Sequence, residues 1–406
     1  MGSNPEERRW RGNIITTSYG NARKGVKEMN DKVRVAVTIV SVLALASFIL
    51  SVMPTTAAAK EKVWTLRGQA AWGKGIQQLW GNTAKAAEMI GYYTGGRVKM
   101  ALHSGGELVK PLEEYPSVAA GAMDFAIGCP CYAMSRSYAA PFYCDSPANI
   151  SGSEKIAWLY YGGGLEILQD IIKKTFNAKI FPVGLVTAEV FLFANKDIKT
   201  LADIKGLKMR AAGLRADIMQ YLGGSLVVLS GSEIIPAMQK GVIDAFELSN
   251  ISMGQEVGFF EVTKYMYFTP RKTNHSLLVL LINMDKWNSF PQDVQKRIEE
   301  ACHDTLLWSF SWNREWDLVA MRNAVKKHGC KLRVLPDDVM REFNEVALTL
   351  YAKKAKTDPD VVRVLESWEN FAKEWGFMAR YVDLLDKTGG YFGQMIPYSE
   401  MKKRVK

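Results

Sequence analysis

A chain of 406 residues with 48% hydrophobic and 23% charged side chains is long enough for two domains, and its ordinary globular composition excludes a disordered chain. The formal net charge is +10, yet beyond residue 59 no Lys/Arg cluster interleaved with aromatics appears, which argues against a nucleic-acid binder. A mild positive excess favours anionic ligands.

The N-terminus departs from the rest. Lys32 and Arg34 precede an apolar run over 35–53, followed by Pro54, two threonines and Ala57-Ala58-Ala59. A basic flank, an apolar core and an A-x-A end predict a secretory signal cleaved after Ala59, and hence a periplasmic chain starting at Lys60. An uncleaved anchor is the other reading, because the run is close to the ~20 residues that span a bilayer. Met29 lies just before the basic flank and is an alternative start. Cleavage leaves 44 basic against 38 acidic residues, a net charge near +6.

The remainder alternates strands and helices. Val63-Trp64-Thr65-Leu66-Arg67 reads as a strand, followed by a loop with Gln69, Trp72 and Gly73 and an amphipathic helix over 76–93 with Leu79, Trp80, Ala84, Ala87 and Ile90 on one face. Gly95-Gly96 stops it, and a second strand over 97–102 leads through the glycine-rich turn His103-Ser104-Gly105-Gly106 towards a helix. The segments 118–126 and 238–246 share one design, a helix end, a glycine and a strand, which predicts two related α/β lobes with a crevice between them.

The densest stretch is 207–247. Leu207-Lys208-Met209-Arg210 is a strand, 214–222 a helix closed by Gly223-Gly224, and 225–229 a buried strand. Ser230 and Glu233 then form a capping box opening a helix to Lys240, and 242–246 is the next strand. Such alternation predicts a parallel sheet, which binds ligands beyond the carboxyl ends of its strands. Arg210 stands at such an end, where a guanidinium can grip a carboxylate with two parallel hydrogen bonds. After a strand over 277–283, helical spacing runs from Val294 to Val325 with neither proline nor glycine until Gly329, so one long helix could bridge both lobes. Residues 337–386 read as further helices, and the tail with Tyr391-Phe392-Gly393 is apolar enough to pack on something.

Five cysteines, Cys129, Cys131, Cys144, Cys302 and Cys330, allow at most two bridges. Cys129 and Cys131 are too close in sequence to join well, whereas either can reach Cys144. A metal site would need a second ligand cluster, and His103, His275, His303 and His328 show no paired spacing, so buried or singly bridged cysteines are the expectation.

From residue 64 to about 377 the chain resembles solute-binding proteins of tripartite ATP-independent periplasmic (TRAP) transporters, most closely their 2-oxoacid-binding branch. The order and spacing of Gly96-Arg97-Val98, Gly106-Glu107-Leu108-Val109, Tyr161-Gly162-Gly163-Gly164, Phe181-Pro182-Val183-Gly184, Leu207-Lys208-Met209-Arg210 and Gly241-Val242-Ile243-Asp244-Ala245 carry that resemblance. It implies a two-lobed fold with a hinge and a helical C-terminus. The implied division is an N-terminal extension and signal over 1–59, lobe I from 60–187 plus 276–315, and lobe II from 188–275 plus 316–406.

The resemblance assigns the ligand carboxylate to Arg210. A glutamine that touches the ligand in that branch is Glu189 here, and a Glu-Trp pair that helps hold a metal cation is Glu247-Leu248. The remaining acidic ligand falls on Thr273, and the aromatic and His-Glu residues around it are replaced by Pro270-Arg271-Lys272. A sodium or calcium ion on Glu189, Glu247, Leu248 and Thr273 is therefore one expectation. The other is that Glu189 accepts a hydrogen bond from the ligand while Arg271 or Lys272 balances its charge. Trp72, Tyr132 and Asn250 are further candidate pocket residues.

The implied function is a non-catalytic receptor that closes on a small organic acid and delivers it to a membrane permease, with pairing of two copies through the C-terminal helices. An extracytoplasmic two-lobed enzyme lacks a Gly-x-Ser-x-Gly elbow, a placed His–nucleophile pair and a phosphate loop. A sensor presenting its closed form to a kinase would have the same sequence features.

Overall fold

The computed structural model describes residue 40 and residues 62–144, 151–187, 189–211, 213–229, 231–269 and 275–382. Apart from Val40, the predicted signal lies outside the described residues, as do Ser230, 270–274 and the tail beyond 382. Among the described residues no helix is long and apolar enough to cross a membrane.

The elements run β1 (Trp64–Ala70), α1 (Gln77–Tyr93), β2 (Val98–His103), α2 (Glu114–Ala119), β3 (Phe125–Gly128), α3 (Gly152–Tyr161), α4 (Gly164–Phe176) and β4 (Ala178–Leu185). A second set follows: β5 (Leu192–Ala194), β6 (Lys208–Arg210), α5 (Gly213–Tyr221), β7 (Ser225–Leu226), α6 (Ile234–Gln239), β8 (Ala245–Phe246), α7 (Ile251–Glu256) and β9 (Tyr265–Phe268). The chain then forms β10 (Leu277–Asn283), α8 (Met284–Asn288), α9 (Gln292–Lys326), β11 (Lys331–Val334), α10 (Asp337–Ala355) and α11 (Pro359–Val382).

Two sheets result, in the orders β2-β1-β3-β10-β4 and β11-β9-β5-β8-β6-β7. Each sheet with its helices makes one lobe. The parallel sheets expected from strand–helix alternation are in fact mixed, because β10 runs antiparallel to β3 and β4, and β5 antiparallel to β8 and β9. The reason lies in the crossings. The chain leaves lobe I at the carboxyl end of β4 and returns from the carboxyl end of β9, so the strand after each crossing starts at that edge and runs back. β10 lies inside the lobe I sheet between β3 and β4, and Leu277 to Ile282 are completely buried, as an apolar run walled on both faces requires. Each such side chain contributes ~2 kcal/mol through burial alone.

The strands around Arg210 are shorter than the apolar runs predict. Only Ser225–Leu226 of 225–229 and Ala245–Phe246 of 242–246 are paired, because β6 is three residues long and sets the length of its neighbours' ladders. The helix expected to open on Ser230 begins instead at Ile234, after a single 3-10 turn over Gly231–Glu233.

The long helix is present as α9, 35 residues from Gln292 to Lys326, spanning ~52 Å at 1.5 Å per residue. Its buried face changes character along its length. Val294, Ile298 and Ala301 are apolar, but Thr305, Ser309, Asn313 and Asp317 follow at four-residue spacing, all buried. That polar stripe crosses the end of β4, where the Ser309 hydroxyl accepts from the Leu185 amide at 3.0 Å and the Asn313 amide donates to the Leu185 carbonyl at 2.8 Å. Gly184 keeps strand and helix this close, since a Cβ there would meet Ser309 Oγ at 3.0 Å.

The C-terminal helices divide between the lobes, although the sequence reading assigned both to lobe II. α10 lies against α5, whereas α11 lies against α4 of lobe I. Trp368 of α11 stacks on Trp158 of α3 with ring centroids 4.3 Å apart, and Trp158 Nε1 donates to Ser367 Oγ at 2.9 Å. This helix therefore packs on its own chain.

Candidate functional site

Parallel pairing of β6 with β8 places Arg210 opposite Phe246, so Glu247 is the first residue past that register. The Glu247 amide donates to the Arg210 carbonyl at 2.9 Å. The Arg210 guanidinium turns across the strand ends: Nε donates to the Leu229 carbonyl at 3.3 Å, and Nη1 to the Glu247 carbonyl. Nη1 also lies 3.7 Å from the Glu247 carboxylate, with both side chains largely buried. Of the five donors of a guanidinium, those on Nη2 make no bond among the described residues.

A second guanidinium shares the site. Arg215, in the first turn of α5, places Nη1 3.4 Å from Glu247 Oε1 and Nη2 3.7 Å from Glu189 Oε2, while its plane covers Phe191 at 5.4 Å. A cation near a helix N-terminus works against the helix dipole, so the two carboxylates must hold it there. Glu189 comes from the crossing after β4, forms an isolated antiparallel bridge with Asn250 and accepts the Ser276 hydroxyl from the foot of β10. The carboxyl edges of both sheets therefore meet at Glu189, Arg210, Arg215 and Glu247.

Sequence reasoning singled out three of these four. Arg215 was missed, although its signal was present: a basic residue in the first turn of the helix that follows Arg210. Arg271, Lys272 and Thr273 lie outside the described residues. Leu248 is half-buried and packs its side chain on the lobe II core. Trp72 is buried in the lobe I core, its indole N–H donating to Thr83 Oγ1 at 2.9 Å. Tyr132 is half-buried beside Tyr115 with ring centroids 6.4 Å apart, and burial followed by the neighbouring thiols pushes its hydroxyl well above the ordinary range.

Asn250 has a different setting. Its carbonyl oxygen caps α7 by accepting from the Met253 amide at 3.1 Å, and its amide nitrogen donates to Gln78 Oε1 at 2.8 Å and Asp317 Oδ1 at 3.1 Å. Asp317 of α9 also accepts hydrogen bonds from Ser252 and Thr187. Gln78 belongs to α1 of lobe I and Ser252 to α7 of lobe II, so this buried network joins both lobes to the bridging helix. A further tie is the Glu256 carboxylate of α7, which accepts the Gln78 backbone amide at 3.2 Å. Burial pushes the Asp317 carboxyl up to about 6, against the hydrogen bonds that favour its ionised form.

Glu189 and Glu247 supply oxygen donors of the kind a hard cation takes, and Arg215 places its single positive charge between them, so a cation there would share both carboxylates with that guanidinium.

Comparison with known proteins agrees with this architecture. The profile of the bacterial extracellular solute-binding protein, family 7, matches residues 76–358. A monocarboxylate 2-oxoacid-binding periplasmic protein of Nostoc sp. strain PCC 7120 is 28% identical over 303 residues, covering 75% of this chain and 82% of the relative. A TRAP periplasmic solute-binding protein of Pseudoalteromonas atlantica T6c, solved with bound sodium and pyruvate, superposes with a TM-score of 0.72 at 23% identity, covering 79% of this chain and 98% of the other. One from Colwellia psychrerythraea with bound calcium and pyruvate gives the same TM-score, identity and coverage.

Proposed function

The chain belongs to family 7 of the bacterial extracellular solute-binding proteins, and from that membership we propose a receptor that captures a small monocarboxylate, 2-oxoacids first among them, for a membrane permease. The observation that carries this reading is Arg210, whose Nη2 edge is open at the meeting of both sheet edges while Nε and Nη1 are locked onto backbone carbonyls. A guanidinium fixed on one side and open on the other is preorganised for a carboxylate, so little side-chain entropy is lost when the ligand arrives. The 2-oxoacid class is supported by the Nostoc relative. The predicted leader supports export, with cleavage after Ala59 as the finer proposal.

The proteins from Pseudoalteromonas and Colwellia were solved with bound sodium or calcium and pyruvate. In this chain we assign part of the corresponding charge to Arg215, whose single positive charge offsets one of the two negative charges on Glu189 and Glu247. Arg210 then supplies the positive charge that the incoming anion meets. No bond is made or broken. Closure stores the ligand because its contacts to both lobes exist only in the closed form, and the Asp317 network lies where that motion must hinge. Helix exchange between two copies would require α11 to leave Trp158, so we place pairing outside the binding cycle.

Thermal shift against a panel of 2-oxoacids, hydroxy acids and dicarboxylates tests the reading, since a ligand that prefers the folded form raises the melting temperature. A hit should bind with a dissociation constant on the order of micromolar, about 8 kcal/mol. A panel in which no carboxylate shifts the transition would overturn it.

A further inference from the structure

The segment joining β3 to α3 carries three cysteines that carboxylate binding leaves unused. Cys129 follows β3 directly, Cys131 sits in a 3-10 turn over Pro130–Ala133, and Cys144 closes a second such turn over Ala140–Tyr143. By spacing, either Cys129 or Cys131 can reach Cys144 across the intervening loop. The fold brings Cys144 to both at once, and all three sulfur atoms lie within 4.8 Å of one another.

We propose that Cys129, Cys131 and Cys144 form a three-thiolate site for one soft, thiophilic cation of the Cu(I) class. A donor set made only of sulfur, joined by no histidine or carboxylate among the described residues, selects soft ions over the hard cations that oxygen ligands hold. Metal–sulfur bonds of ~2.3 Å in a trigonal plane put sulfurs ~4.0 Å apart, so the cluster need close by less than 1 Å. Zinc would want a fourth ligand, and the group offers three.

The surroundings are built to hold these sulfurs in place. The Cys131 amide points at Cys144 Sγ at 3.1 Å, a donor that favours the thiolate. Tyr115 fixes the Cys129 carbonyl through a 2.8 Å hydrogen bond. Lys155, completely buried, donates to the carbonyls of Tyr143 at 3.0 Å and Cys144 at 3.2 Å. Three thiolates around a monovalent cation carry a net charge of −2, and the ammonium of Lys155 next to Cys144 offsets part of it. Cys131 is half-buried while its two partners are buried, which leaves one approach for the ion. Loading displaces three thiol protons to solvent, so retention should strengthen as pH rises.

The test uses the exported protein purified under argon with a non-thiol reductant, then titrated with Cu(I) held by a chromogenic chelator. One copper per chain should be retained against the chelator, and a thiolate-to-copper charge-transfer band should appear. Cys129→Ser and Cys144→Ser should lose both, while a Cys302→Ser/Cys330→Ser protein keeps both. Melting temperatures check each fold, and the more accessible Cys131→Ser replaces either buried variant that fails to fold. Arg210→Ala should lose carboxylate binding and keep its copper, separating this site from the receptor reading. Surrender of all copper by the unaltered protein, retention by the serine variants, preferential retention of zinc, or a disulfide at Cys144 in the freshly exported chain would each overturn the proposal.

Discussion

Arg215 Nη1 stands 3.4 Å from Glu247 Oε1, and the same guanidinium reaches Glu189 from its other nitrogen, so one buried cation answers two buried carboxylates. Arg215→Met should therefore lower stability by ~3–5 kcal/mol, because both acids lose their shared partner inside the protein. Calcium should then recover part of the loss, since two carboxylates without their guanidinium become a hard oxygen site. Thermal unfolding with and without calcium reads this directly. A calcium shift of equal size in the unaltered protein would show that Arg215 does not take the place of an ion.

For Arg210 the contrast between two substitutions is informative. Arg210→Ala removes the carboxylate fork and should weaken binding by ~3 kcal/mol, about 100-fold. Arg210→Lys keeps the charge but offers a point donor in place of a planar edge, so it should recover only a minority of the affinity. Calorimetric titration with a 2-oxoacid measures both. Equal affinity in the lysine variant would mean that charge alone, and not the Nη2 edge, recognises the ligand.

Trp368→Ala tests what α11 does for lobe I. Its ring stacks on Trp158 and is 1% exposed, and loss of such an aromatic typically costs ~3–5 kcal/mol. Urea unfolding should show that loss with ligand affinity unchanged, because the stack involves α3 and α11 rather than the strand ends that carry Arg210. Weakened binding at retained stability would instead tie this helix to closure.

Much of this was legible in the sequence, for physical reasons that also mark the limit. Arg210 and Glu247 could be placed because each follows an apolar run that reads as a strand, and both strands belong to the same alternation of strand and helix. Arg215 could not, since its partners lie 26 and 32 positions away and only the pairing of β6 with β8 and the crossing after β4 bring them together. Asp317 sits on a helix whose periodicity was plain, yet a carboxylate on a helix ordinarily faces water. Its burial depends on α1 and α7 meeting over α9, which no local pattern states. The stripe Thr305, Ser309, Asn313, Asp317 was the available signal, four polar residues on a face whose earlier turns are apolar. The antiparallel direction of β5 and β10 was likewise invisible, because strand direction follows from where the chain crosses between lobes.

Asp317 gives the protein a pH dependence of definite sign. Its carboxyl is raised from 3.8 to about 6 by burial, so the folded state holds a proton that the unfolded chain would release. The stability this contributes is fully present below pH 3.8 and is lost as pH rises through about 6. A shift of roughly two units corresponds to ~3 kcal/mol between those limits. Glu256 on the same interlobe contact is also raised, first by burial, and its contribution has the same sign. In Asp317→Asn the amide can accept from Asn250 and Ser252 through its oxygen and donate to Thr187, which keeps the network while removing the titration. Urea unfolding from pH 4 to pH 7 should therefore show the variant gaining on the unaltered protein by ~2.4 kcal/mol across that range. Parallel curves would mean that Asp317 keeps its charge at both ends of the range and that its hydrogen bonds fully offset burial.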